Sequence, residues 1–92
     1  MTDTERTALD AADAAINLLG LFADEADILN ARARRHAAAQ WREARALLSE
    51  ARRVADDGDA EVFERLADMA EALASCEHAL RLGSAAPVAE VA

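Results

Sequence analysis

The sequence predicts an all-α fold, an antiparallel three-helix bundle, on three observations. Apolar residues recur at alternating steps of three and four along most of the chain. Glycine and proline are scarce, at 3 and 1 of 92 residues. Aromatics make up only 3 % and tyrosine is absent, which excludes strands rich in aromatic and β-branched residues. A chain of 92 residues holds one modest core, burying about 60–65 % of its unfolded surface. The expected organisation is a single helical domain over 1–82, with helices over about 4–22, 25–55 and 59–82, and a flexible C-terminal tail over 83–92.

The first helix follows from Leu9, Ala12, Ile16, Leu19 and Ala23, broadened by Ala8, Ala15, Leu18 and Phe22. Thr2, Asp3 or Thr4 supplies its cap, and Leu21 lies toward the polar side. The middle helix turns Leu29, Ala33, His36, Ala37, Gln40, Ala44, Leu47, Leu48, Ala51 and Val54 inward, with Trp41 at the margin. Its alanines permit close helix approach but limit the apolar area buried per residue. The last helix is the clearest: Val62, Leu66, Met69, Leu73, Cys76 and Leu80 form one stripe, widened by Phe63, Ala67, Ala70 and Ala74. Gly58 suits the turn before it, with Asp59 as its N-cap, and Gly83 with Pro87 marks its end.

One boundary stays open. Between Leu21 and Ala55 there is no Gly or Pro, and the apolar register runs on through Ala23, Ala26, Asn30 and Ala33. Residues 4–55 therefore read either as two helices with a turn near Ala23 to Ala26, or as one long helix. The second case is a long-helix hairpin that dimerises into a helical bundle to cover its first half.

Charge is segregated. Residues 1–27 hold seven acids and one arginine, 28–55 seven arginines and two glutamates, and 56–82 eight acids and two arginines. The net charge is −8 and every basic residue is arginine. At about 100° per residue, Arg34, Arg35, Arg42, Arg45, Arg52 and Arg53 share one arc on the middle helix, away from its Ala/Leu face. That stripe either pairs with acids of the neighbouring helices or takes an acidic partner. A pI near 4.6 argues against direct nucleic-acid binding. Arg35, Trp41, Arg42, Arg45 and Arg52 form the first candidate partner-binding surface, since Trp and Arg dominate binding hot spots. The acidic row Glu61, Glu64, Asp68 and Glu71 forms the second. Asp10, Asp13, Asn17 and Asp24 make a similar row on the first helix.

His36, Gln40 and Glu77 interrupt apolar faces and are expected to meet as one polar layer, with Arg81 close to Glu77. Such a layer either fixes helix register or serves as a proton-transfer or ligand site. Nothing else points to chemistry. Cys76 and His78 project to nearly opposite sides of a helix, and no metal-binding spacing occurs. No nucleophile elbow or glycine-rich phosphate loop is present. Cys76 continues the core stripe, and a lone cysteine excludes a disulfide within the chain. No run of 18 apolar residues exists and the start is polar, so no membrane span or signal peptide is expected and the location expected is cytoplasmic.

The sequence thus predicts a small acidic helical protein-protein interaction module with no catalytic residues, metal or cofactor. It would act as adaptor or inhibitor of a larger protein and self-associate, most simply as a homodimer. The alternatives are a nucleic-acid-mimicking inhibitor of the phage anti-defence type, blocking a basic groove, and a ligand-binding or catalytic bundle using the His/Glu layer.

Overall fold

A capping box starts the first helix. In the computed structural model, which describes residues 1–55 and 58–82, the Glu5 backbone N–H donates to the Thr2 hydroxyl over 3.1 Å, and the Thr2 N–H donates to Glu5 Oε1 over 2.8 Å. These reciprocal bonds satisfy donors that a helix start leaves open. They also explain why Glu5 is a buried carboxylate. Helix α1 then runs Asp3–Asp24.

The chain turns back after α1, so the long helix over 4–55 does not form. A single 3-10 turn covers Ala26–Ile28, and Asn30 caps α2 (Ala31–Val54), its side-chain oxygen accepting from the Ala33 N–H over 2.8 Å. The break lies later than the turn expected near Ala23 to Ala26, and α2 starts at Ala31 rather than near 25. Asn30 decides the position, because its short side chain satisfies the first turn of a helix better than it serves a helix interior. Arg34 fastens the turn by donating from Nη2 to the Ala26 carbonyl over 2.7 Å.

Asp59 caps α3 (Ala60–Leu80), accepting from the Glu61 and Val62 N–H groups. At the other end Leu82 N–H donates to the Glu77 carbonyl (2.9 Å) and Arg81 N–H to that of His78 (3.2 Å). This is a Schellman ending, with Arg81 in the left-handed conformation at φ 58°. The helix therefore stops before Gly83, and an arginine holds the position glycine would favour. Leu82 accompanies the motif by packing on the core. Asp56, Asp57 and the tail over 83–92 lie outside the described residues.

The three helices form an antiparallel bundle, and no strand occurs among the described residues. Leu9, Ala12, Ala15, Ile16 and Leu19 of α1 meet Ala37, Ala44, Leu48 and Ala51 of α2, closed by Val62, Met69, Leu73, Cys76 and Leu80 of α3. The alanines let α1 and α2 approach closely, and these two helices share the most extensive contact. Gln40 reinforces it, donating from Nε2 to the Ala15 carbonyl of α1 over 3.1 Å. Arg65 ties α3 to α1, 3.2 Å from Asp10 and 3.9 Å from Asp13.

Four apolar residues depart from expectation. Leu18, Phe63, Ala67 and Ala74, read as core-facing, are exposed, Phe63 at 67 %. Each lies at the edge of its helix's apolar arc, about 100° from Leu19, Val62, Leu66 and Leu73 respectively.

Candidate functional site

Between α2 and α3 the bundle is open. The two helices touch less than either touches α1, and a groove of about 440 Å³ lies between their turn-proximal halves. Ala55, Phe63, Leu66, Ala67 and Ala70 line it, with Arg52 on the α2 side. On the α3 side Ala67 and Ala70 are small and Phe63 and Leu66 are large, and all four are apolar.

A hydrogen bond crosses between the same helices farther along: Trp41 Nε1 donates to Glu77 Oε2 over 2.7 Å. Both side chains are half-buried, which keeps the bond partly shielded from water. Arg45 stacks over the Trp41 ring, its guanidinium carbon 4.8 Å from the ring centre. Arg45 and Arg52 are two helical turns apart on the same side of α2, about 10.5 Å. Both are exposed, and neither has a carboxylate partner among the described residues.

Among the described residues, the arginine stripe makes no ion pair with acids of the neighbouring helices, one of its two expected roles. Among the described residues, its ion pair is local, from Arg53 to Glu50 one turn back. That contact holds the Glu50 carboxyl below its usual range. The pair is exposed, so it contributes little to stability. Arg42 is exposed without a partner among the described residues, and Arg35 lies with Arg32, His36 and Ala39 around a separate shallow basic depression.

The polar layer of His36, Gln40 and Glu77 is not assembled. Glu77 bonds Trp41, Gln40 turns the other way to α1, and His36 is exposed. His36 precedes buried Ala37 by one residue, so its side chain leaves the helix about 100° from that core position and stays hydrated. Arg81 makes no ion pair with Glu77 among the described residues; its backbone is committed to the helix end. The level of Glu77 against the middle of α2 is as the sequence suggests, but its partner is Trp41. An indole N–H at the margin of an apolar face was the signal available for it.

The acidic row Glu61, Glu64, Asp68 and Glu71 is exposed along α3, with no ion pair among the described residues. The row on α1 is different, because Asp10 and Asp13 are engaged by Arg65. Cys76 is buried, and burial pushes its thiol pKa up, with the Asp24 and Glu77 carboxylates adding to the shift. Among the described residues no cluster of His, Cys, Asp and Glu is placed to hold a metal ion, and no helix is long and apolar enough to cross a membrane. Comparison of the chain with protein families, curated proteins and solved structures finds no match.

Proposed function

We propose that this bundle is a protein-binding module, without catalysis of its own, whose docking surface is the α2/α3 groove. The observation that carries the reading is a half-finished interface. Apolar residues Ala55, Phe63, Leu66, Ala67 and Ala70 line an open groove with Arg52, Arg45 follows two turns along α2, and both arginines lack carboxylate partners among the described residues. An acidic amphipathic helix is the matching occupant. Its apolar side covers the groove and its carboxylates meet the two guanidiniums, the helix-in-groove mode of recognition. Arg offers bidentate contact to carboxylates, and a stacked Trp–Arg pair beside an apolar groove is the composition of a binding hot spot. Through this surface the protein docks an acidic helical partner, the contact on which a role as adaptor or inhibitor rests.

The test compares wild type with the triple charge reversal of Arg42, Arg45 and Arg52 as baits in nuclease-treated lysate, washed at low and high salt. The expected result is a stoichiometric acidic partner, lost at high salt and lost in the reversed variant. A partner retained at full yield by the triple variant overturns the arginine surface. Capture of a basic DNA-handling protein that disappears on Glu→Gln change at Glu61, Glu64 and Glu71 with Asp68→Asn supports the mimicry alternative instead.

A further inference from the structure

We infer that the occupant of the α2/α3 groove is α3 of a second copy of this chain, in a symmetric dimer whose twofold axis runs along the bundle. The inference rests on the docking-groove reading and names its partner.

The chain carries the ligand that its own groove requires. On α3, Phe63, Ala67, Ala70 and Ala74 step by four, three and four, so they form one apolar edge. That edge is left largely uncovered: Phe63, Ala67 and Ala74 are exposed, and Ala70 packs on the core but stays half-buried. Glu64 and Glu71 flank the edge on its solvent side, and neither has a partner among the described residues. They are seven residues apart, which is about 10.5 Å along a helix. Arg45 and Arg52 are also seven residues apart, so the two charged pairs match in spacing.

Their heights match as well. The Trp41–Glu77 hydrogen bond fixes which residues of antiparallel α2 and α3 lie level. On that register Arg52 is level with residue 66 and Arg45 with residue 73, each within two residues of Glu64 and Glu71. A twofold axis along the bundle sets the second α3 beside the first at the same height and parallel to it. Glu64 of each copy then meets Arg52 of the other, and Glu71 meets Arg45. Phe63 of each copy closes the apolar groove of the other beside Leu66, Ala67 and Ala70. An antiparallel arrangement of the two α3 helices would instead bring their acidic faces to the same side, where they repel. Because each contact is made twice, a closed dimer results and no polymer grows.

The experiment measures molar mass by light scattering and sedimentation, from micromolar to near-millimolar chain at moderate salt. It uses wild type, Phe63→Ser, Arg45→Glu with Arg52→Glu, and Glu64→Arg with Glu71→Arg. All five positions are exposed on helix surfaces, and circular dichroism checks that each variant keeps its helices. Wild type is expected to dimerise, and each variant to weaken dimerisation at least tenfold. An equimolar mixture of the two charge-reversed chains is expected to form a heterodimer. A wild-type chain monomeric throughout overturns the proposal, as does dimerisation indifferent to all three variants, or a mixture that stays monomeric. If wild type is monomeric yet still captures an acidic helical partner through Arg45 and Arg52, the second copy is wrong and the docking groove stands.

Discussion

Replacing Trp41 by Phe keeps most of the ring and deletes the indole N–H that reaches Glu77 over 2.7 Å. A hydrogen bond to a charged group contributes about 1.5–3 kcal/mol when shielded. Both partners here are half-buried, so water competes and about 1 kcal/mol is the expected share. The smaller ring also weakens the Arg45 stacking, an interaction of about 0.5–1 kcal/mol in all at exposed sites, so the single variant should lose about 1–2 kcal/mol. A double-mutant cycle of Trp41→Phe and Glu77→Ala separates the two effects, because the stacking loss appears in both arms and cancels. Urea unfolding followed by circular dichroism supplies the free energies, since Trp41 is the only tryptophan and its fluorescence vanishes in the variant. The expected coupling is about 1 kcal/mol, equivalent to about 4–8 °C in Tm for a domain of this size. A coupling below about 0.3 kcal/mol, within the scatter of additive pairs, would show that the bond adds nothing to the α2/α3 contact.

Three further outcomes follow from the helix ends and the buried thiol. Arg81→Gly should raise stability by about 0.5–1 kcal/mol, because glycine holds the left-handed φ of 58° without steric cost; an unchanged or lower urea midpoint counts against the strained cap. Asn30→Ala should remove about 1 kcal/mol by opening the first turn of α2, whereas Asn17→Ala on the exposed side of α1 should change the midpoint by less than half of that. The Cys76 thiol has a raised folded pKa, so the folded state keeps its proton while the unfolded chain releases it. Stability is therefore fully retained below the unfolded value of about 8.5 and falls as pH rises through the folded one. Cys76→Ala should flatten that alkaline slope, and a slope unchanged by the variant would assign it to other groups.

Much of the fold was legible because helical periodicity is a strong signal where apolar side chains are large. In α3 the stripe from Val62 to Leu80 is buried at each step except half-buried Leu66. The α1–α2 turn was not legible from periodicity, since alanines continue the apolar register straight through it. Its signal was the cap chemistry of Asn30 and a shift of a few residues in where α2 can start. Thr2 with Glu5 spells the capping box outright. The candidate site was legible in part. Arg52 lines the open groove and Arg45, two turns away on α2, stacks on Trp41, whereas Arg35 lies at a separate depression. The helical wheel ranks positions around one axis and contains no information on how far two helices splay. The openness between α2 and α3, and hence the exposure of Phe63, belongs to that missing quantity. The same limit misled the reading of His36, whose arc on α2 would be covered only if α1 reached farther around it.

The unequal sharing of contact among the helices has a dynamic consequence. α1 and α2 grip each other more extensively than either grips α3, so the cheapest partial opening of the molecule lifts α3 from an intact α1–α2 hairpin. Amide hydrogens of α3 should then exchange with solvent ahead of those at the centre of α2. The groove has one wall on each side of that hinge line and exists only while α3 is seated. Anything that fills it binds the closed form alone, and by mass action holds the least stable helix in place. Slowed exchange along α3 therefore reports occupancy of the groove, even for an occupant too weak to survive a column.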